Sequence, residues 1–139
     1  MPSFASVSSL LLLALPFTAC ASNEDWTTVD YGVSAVQFLD MVVPSDMHIV
    51  DEYHESHSRE TAGWRYGSYD FRGRTPIAEA SAYLLRRMPE HNWQLIGEEK
   101  PGQDTHKLQF ARGQYRAEYT LQRVDGRTRM HVDYRTELK

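Results

Sequence analysis

Apolar and polar side chains alternate along the chain after residue 92, and this alternation constrains the fold more than any other feature. Successive side chains of a β-strand point to opposite faces, so each alternating run predicts a strand with one buried and one solvated face. Asp125–Gly126 predicts a tight hairpin before the last run. The runs therefore predict an antiparallel sheet whose neighbouring strands follow one another in sequence. The series predicted to face inward is Trp93, Leu95, Gly97, His106, Leu108, Phe110, Tyr115, Ala117, Tyr119, Leu121, Thr128, Met130, Val132 and Tyr134.

The clearest helix signal lies just before these runs, over residues 75–89. Thr75 can cap the free amides, Pro76 suits the first helical position and Pro89 ends the pattern. A single apolar stripe recurs at spacings of three and four residues, and it provides the surface that can cover the sheet. The stripe consists of Ile77, Ala80, Ser81, Leu84, Leu85 and Met88.

The pattern between residues 47 and 73 is less regular. Residues 47–50 suggest a short strand, and the polar stretch that follows is predicted to be a solvated loop. The aromatic residues of 64–71 change parity around Gly67, which predicts a strand with a β-bulge. The predicted fold class is α+β, with two layers in which one main helix packs on a four- to five-stranded antiparallel sheet in the order β-α-β-β-β.

A short uncharged apolar run ends at Cys20. No charged side chain occurs over residues 4–19, and Pro16 interrupts a run that is already shorter than the roughly 20 apolar residues needed to span a bilayer. Small residues immediately precede the cysteine. The sequence therefore predicts a secretory signal peptide over residues 1–19.

Phe17, Thr18, Ala19 and Cys20 resemble the lipobox of bacterial lipoproteins, in which a large apolar residue stands three places before an obligatory cysteine. The resemblance implies a diacylglyceryl group on Cys20, and each buried methylene would contribute about 0.8 kcal/mol to membrane attachment. The residue directly after the cysteine is Ala21 and not an aspartate. In this family, the absence of aspartate at that position implies sorting to the outer membrane, with the domain in the periplasm. The alternative is a signal in which Cys20 is incidental.

Residues 20–45 are predicted to form an acidic tether that precedes a domain over residues 46–139. The tether contains four acidic residues and no lysine or arginine, so it accounts for the whole formal charge of −4. The domain is then balanced in charge, which argues against a nucleic-acid partner because phosphate recognition needs a basic excess. Apolar residues over 33–43 fall near helical spacing, and they indicate either an arm packed on the domain or an independent binding helix.

The best candidate for chemistry is the segment Asp51–His57, which combines carboxylates with His54 and His57. On a helix the two imidazoles would share a face and could bind zinc or copper, whereas on a strand they would point to opposite sides. The flanking residues favour a solvated loop, so these histidines are weak metal candidates and no cofactor is predicted. Cys20 is the only cysteine and no Gly-x-Ser-x-Gly motif occurs, so we predict that the chain is not an enzyme.

Two functional classes remain. The first is a non-enzymatic interaction or accessory module, held to the membrane through Cys20 and binding a protein partner of the envelope through a sheet edge or the helix–sheet groove. The second is a carrier of small apolar ligands with a cavity between helix and sheet. That cavity would be lined by Tyr66, Trp93, Tyr119 and Tyr134.

The order of elements resembles the helix-grip arrangement of small envelope lipoprotein domains, such as those of the barrel-assembly lipoprotein BamC. Met88–Pro89 followed by Trp93 is also similar to a pattern of other small envelope lipoproteins, in which a helix ending in Met-Pro precedes a strand with tryptophan. These resemblances imply a fold, and they carry over no functional residue.

Overall fold

The computed structural model describes residues 38–50 and 56–137. Within them, seven strands form one antiparallel sheet, and a single α-helix is followed directly by a 3₁₀-helix. The elements are β1 (His48–Ile49), β2 (His57–Thr61), β3 (Trp64–Gly73), α1 (Ile77–Arg87), the 3₁₀-helix (Met88–His91), β4 (Gln94–Gly102), β5 (Thr105–Arg112), β6 (Tyr115–Val124) and β7 (Arg127–Thr136). The sheet order is β1-β3-β7-β6-β5-β4, and β2 also pairs with β3.

This architecture corrects the predicted α+β fold class. The described chain is mostly sheet, with three strands before the short helix and four after it, so both the four- to five-stranded sheet and the β-α-β-β-β order are wrong. The polar stretch predicted to be a loop, residues 51–59, overlaps the first three residues of β2, whose side chains are largely exposed. Backbone pairing with β3 rather than burial holds this strand in place, so it leaves no alternating signal. Each alternating run after residue 92 does lie in a strand, β4 to β7, although the predicted order allowed only three strands there.

β3 is regular and lacks the predicted bulge. Its pairing with β7 runs without a shift from Tyr66 to Gly73. The aromatic residues change parity because Tyr66 points to one face of the sheet while Tyr69 points to the other. Gly67 allows this arrangement, since a Cβ at that position would lie 2.5 Å from Cε2 of the Tyr69 ring.

The core lies between α1 and one face of the sheet, here called the inner face. Leu84 of α1 and Met88 of the 3₁₀-helix are fully buried against it, as the apolar stripe predicts. The inner face contributes large buried side chains from four strands, namely Tyr69, Phe71, Leu108, Phe110, Tyr119, Leu121, Met130, Val132 and Tyr134. We call the opposite face the outer face.

The turn from β3 into α1 is fixed by Asp46 rather than by the predicted Thr75 cap. The Asp46 carboxylate accepts hydrogen bonds from the backbone N–H of Arg74 at 3.0 Å and of Thr75 at 2.8 Å, and it also accepts one from the Thr75 hydroxyl. This hydroxyl bond is the largest cause of the lowered pKa of Asp46. The helix itself begins at Ile77, without a side-chain cap.

Residues 38–47, here called the arm, belong to the core. Phe38, Met41, Val42 and Met47 are each less than a tenth exposed. Of the two alternatives for this part of the chain, the described residues show the packed arm. The remainder of the predicted tether, together with Cys20, lies outside the described residues.

Candidate functional site

The arm occupies the place where the carrier hypothesis puts a ligand. The indole Nε1 of Trp93 donates a hydrogen bond to the backbone oxygen of Asp40 at 2.8 Å, and the Tyr119 hydroxyl donates to the backbone oxygen of Val42 at 3.1 Å. The Tyr134 hydroxyl donates to Oδ2 of Asp40 at 3.0 Å. Three of the four residues predicted to line a cavity therefore contact the arm. The fourth, Tyr66, lies on the outer face.

Burial on this side of the sheet shifts the ionisation of both tyrosines. Desolvation raises the pKa of Tyr119, whose side chain is fully buried. Burial also raises the pKa of Tyr134 to about 12. The buried hydroxyls thus remain neutral donors to the arm at ordinary pH.

Asp40 connects the arm to two arginines of the sheet. Its Oδ2 forms an ion pair with Nη2 of Arg112, and its Oδ1 lies 3.7 Å from Nη1 of Arg65. The Arg65 guanidinium also lies over the Phe38 ring, 5.4 Å from its centroid. Ion pairs, a cation–π contact and hydrogen bonds therefore all hold the arm at Phe38 and Asp40.

An open groove of about 330 Å³ lies between α1 and the hairpin of β4 and β5. The helix lines it with apolar side chains, whereas the strands contribute mainly polar ones. This groove is at the helix–sheet boundary, but none of the four predicted cavity residues lines it. Its helical lining is formed by Ile77, Ala78, Ser81, Ala82 and Leu85.

A chain of polar side chains crosses the inner end of the groove. The Ser81 hydroxyl lies 2.6 Å from Nδ1 of His106, and Nε2 of His106 lies 2.8 Å from Oε1 of Glu98. Lys100 contacts the same Glu98 oxygen at 3.1 Å. Lys100 first and His106 second lower the pKa of the Glu98 carboxyl by hydrogen bonding.

Serine, histidine and a carboxylate in sequence suggest a nucleophile, but the geometry favours a structural link. Ser81 is only 2% exposed, and its hydroxyl also donates to the backbone oxygen of Ile77 at 2.7 Å. It lies within α1, where backbone N–H groups bond along the helix and do not point at an oxyanion beside the hydroxyl. The chain of hydrogen bonds therefore connects α1 to β5 and β4.

The sequence pattern does not single out this cluster. It predicts Ser81 in the apolar stripe of the helix and His106 in the inward series of its strand. Both residues are polar, and they lie on two elements predicted to face each other. A buried polar side chain needs a hydrogen-bond partner. Two polar residues on facing elements are therefore the signal from which a contact between Ser81 and His106 can be predicted.

β4 forms one end of the sheet, and its side chains are mostly exposed. Leu95 is 44% exposed and Ile96 is 56% exposed, so two large apolar side chains face solvent next to each other. The pairing of β4 with β5 shifts between Leu95 and Gly97 and again between Glu99 and Gly102. Ile96 lies in the first of these irregularities.

The outer face carries a polar network. Asp70 is only 4% exposed, and its carboxylate contacts Nε of Arg129 at 2.8 Å and Nδ1 of His131 at 3.3 Å. Nε2 of His131 in turn lies 3.3 Å from Asp133. These charges are paired with one another, which satisfies the buried carboxylate.

The weak metal candidates are not brought together in the part of the chain that the structure describes. His57 is exposed on β2, with its ring 5.4 Å from that of Tyr66, and His54 lies outside the described residues. Over residues 38–50 and 56–137, no group of three or more histidine, cysteine or acidic side chains has the geometry to hold a metal ion.

Among the described residues, no helix has both the length and the apolar character needed to cross a membrane. No protein-family model, no curated protein and no solved structure matches this chain.

Proposed function

We propose that this chain is a lipid-anchored protein of the bacterial envelope, attached through Cys20 and acting as a non-enzymatic interaction module. The lipobox-like residues support the anchor, and the membrane is the outer one, with the domain in the periplasm. A protein of the envelope is the proposed partner. The observation that carries the interaction role is the open edge of β4, with Leu95 and Ile96 in solvent.

Edge strands of natural sheets are usually protected against pairing with other chains. The second half of β4 follows this rule, since Glu98, Glu99, Lys100 and Pro101 provide charges and a proline. The first half, residues 94–97, carries no charge and exposes its two apolar side chains. The register shift at Ile96 disfavours pairing with a further strand, so the exposed apolar side chains are the part of this edge that a partner would bury.

The anchor is tested by metabolic labelling with a fatty-acid analogue in cells that express the native chain or Cys20→Ser. We expect label on the native chain and none on the variant. Equal labelling of the two chains, or no label on either, would contradict the anchor.

The interaction is tested by placing a photoreactive amino acid at Ile96 in the full chain and irradiating intact cells. A matched control carries the same group at Gln122, which is exposed on β6. We expect a discrete crosslinked product from position 96 and none from position 122. The same products from both positions, or none from position 96, would contradict this use of the edge.

The groove beside α1 favours a second candidate, a carrier of small apolar ligands. Its volume of about 330 Å³ is at the lower end of ligand sites. A fluorescent fatty-acid probe should then bind the native chain and lose affinity in Ala78→Phe, because Ala78 is an exposed residue that lines this groove. Failure of the probe to bind, or equal binding to both proteins, would eliminate the carrier role.

A further inference from the structure

We infer that the outer face of the sheet binds an acidic segment of a partner protein, along a row of arginines that crosses four strands. The row consists of Arg59, Arg135 and Arg116, and Tyr66 lies within it. This inference rests on the proposed interaction function and names the chemistry of the partner. It requires no further strand in the sheet.

The first step concerns the geometry of the row. Tyr66 of β3 lies opposite Arg59 of β2 on one side and opposite Arg135 of β7 on the other. Arg135 in turn lies opposite Arg116 of β6. Directly opposite residues point to the same face of a sheet, so the three arginines share the outer face with Tyr66. At about 4.8 Å between strands, the row is about 14 Å long, which an extended segment of about five residues would span.

The second step concerns the charge of the row. Arg59 and Arg135 are exposed, and neither side chain forms an ion pair or a side-chain hydrogen bond with another of the described residues. Arg116 pairs with Glu137 at 3.0 Å. Like charges directly opposite each other destabilise a sheet, so the placement of Arg135 beside Arg116 weakens the fold of the chain alone. Carboxylates of a partner would remove this repulsion.

The acidic side chains of the neighbouring row already have other contacts. Glu118 accepts a hydrogen bond from Gln109 at 3.3 Å, and Asp133 lies 3.3 Å from His131. Within the described part of the chain, neither carboxylate forms an ion pair with Arg135. The guanidinium of Arg135 therefore stays available to a partner.

The third step concerns the aromatic side chains beside the arginines. The rings of Trp64 and Tyr66 are partly exposed and nearly parallel, with an interplanar angle of 13° and centroids 6.1 Å apart. Both residues lie on the same strand two positions apart, so both rings lie on the outer face. Tryptophan, tyrosine and arginine are the residues enriched in the hot spots of protein interfaces. The composition of the row therefore favours a protein as the partner.

The row also meets the exposed apolar edge of β4. A hollow of about 120 Å³ on the outer face is lined by Ile96, Arg116 and Arg135, together with the carboxylates Glu118 and Glu137. An apolar side chain of the partner could fill this hollow against Ile96 while a neighbouring carboxylate of the partner contacts Arg135. The arginine row and the edge proposed for interaction thus form one continuous surface.

The charge of the row also separates this partner from two other occupants. A second copy that presents the same face would place arginines against arginines, which is a repulsive arrangement. A contact with a different face of a second copy would be heterologous, and it would build rings or filaments rather than a dimer. A nucleic acid would meet a domain over residues 46–139 that has no excess of basic residues. An acidic protein segment complements both the arginines and the aromatic rings.

The test uses the full-length purified protein and a random decapeptide display library as the probe. We expect the enriched peptides to carry several aspartates or glutamates within about five residues, the length of the row. No enrichment over an unrelated protein, or enrichment of peptides without acidic residues, would overturn the inference. Equally tight binding of a DNA oligonucleotide would also overturn it, since the row would then bind any polyanion.

Matched variants locate the bound peptide. Arg135→Gln should weaken binding of the enriched peptide by about threefold to fivefold, and the addition of Arg59→Gln should weaken it further. The control Arg127→Gln removes an exposed arginine from the outer face at the other end of β7, and it should leave the affinity unchanged. Equal affinities of Arg135→Gln and Arg127→Gln would overturn the inference.

A stability measurement separates binding from folding. Arg135→Gln removes the charge opposite Arg116, so its midpoint of urea denaturation should equal or exceed that of the native chain. A lower midpoint would show that Arg135 serves the fold, and it would overturn the inference. Self-association of the native chain that is lost in Arg135→Gln would assign the row to a second copy and would overturn it as well.

These outcomes are separable from failure of the proposed function. A crosslink from position 96 to another protein that persists unchanged in Arg135→Gln would leave the interaction module intact and reject the acidic partner. Enriched acidic peptides that bind the row, without a crosslink from position 96 in cells, would support the row and contradict the proposed use of the β4 edge.

Discussion

The two flanks of α1 are built on the same sheet but are completed differently. On one flank the backbone oxygens of the arm accept hydrogen bonds from Trp93 and Tyr119, and Asp46 and Tyr83 line an open groove of about 320 Å³ between the arm and the helix. On the other flank the groove beside β4 and β5 is open too, but within the described residues no segment covers Leu95.

This difference indicates that the arm flank serves the stability of the fold, whereas the groove flank leaves a surface exposed to solvent. On the arm flank, the donors of the sheet are used within the chain. On the groove flank, Ser81, His106 and Glu98 satisfy one another and leave mainly apolar side chains and the edge backbone exposed. The proposed partner on that flank would therefore gain affinity from apolar burial rather than from a buried polar side chain.

The largest expected effect separates the two flanks by stability. Trp93→Ala removes a 1% exposed ring and its hydrogen bond to the arm, so we expect a loss of about 3–5 kcal/mol in the free energy of unfolding. The matched control Leu95→Ala removes a half-exposed side chain and should change stability by about 0.5 kcal/mol or less. Urea denaturation measures both values, and similar losses would abolish the distinction between the flanks.

A smaller effect is expected when the charge that holds the arm is removed. Asp40→Asn should cost about 1–3 kcal/mol, because Arg112 loses a charged partner and Tyr134 a charged acceptor. The exposed arm residue Leu39, which is 99% exposed, offers the control Leu39→Ala. Urea denaturation measures the free energy of unfolding of both variants. An Asp40→Asn protein as stable as the control would show that the ion pairs of Asp40 do not stabilise the fold.

The polar link of the groove flank gives the next effect. Ser81→Ala leaves Nδ1 of the buried His106 without its partner, and we expect a loss of about 1–2 kcal/mol. Ala82→Ser places a hydroxyl on the exposed side of the same helix and serves as the control, with a change of about 0.5 kcal/mol or less. Thermal denaturation should rank the two variants in this order, and the reverse order would contradict the structural role of Ser81.

The smallest effect is a dependence on acid that involves both flanks. The folded-state pKa values of Asp46 and Glu98 are lowered from 3.8 and 4.5, so their stabilising contributions are fully present above these values. They are lost as the pH falls through the lowered folded-state values. Asp46→Asn and Glu98→Gln should each flatten the fall of stability below about pH 4. Unchanged slopes in urea denaturation at pH 2–5 would contradict these carboxylate interactions.

The sequence predicts the regular helix and strands of the fold better than it predicts the exposed strand β2 and the contacts between side chains. The four strands after residue 92 and the apolar stripe of α1 follow from side-chain periodicity, because one face of each element is buried. β2 escaped prediction since both its faces are largely exposed, and its pairing with β3 is a backbone property. The parity change at Gly67 predicts a bulge, but the pairing of β3 is regular and the Tyr69 ring lies over Gly67.

The contacts of the candidate site were predicted less completely. The sequence predicts that a sheet edge or a helix–sheet groove is the available surface, without naming its residues. The residues predicted to line a cavity are wrong, because Trp93, Tyr119 and Tyr134 donate hydrogen bonds to the arm. Periodicity tells which side chains point inward, and it does not tell which segment of chain they meet. The arm begins within a stretch whose charge suggested a solvated tether, and only its packed contacts reveal its place.

The pairing of β3 with β7 has a consequence for the order in which the protein can be completed. Asp70 lies opposite His131, which is made 61 positions later, whereas β4 to β7 pair as successive hairpins. Contacts that are distant in sequence form more slowly than local ones. The meander of β4 to β7 can therefore assemble before β3 and the arm pack against it. Synthesis from the N-terminus therefore produces β3 and the arm first, and β3 can complete its pairing only after β7 has been made.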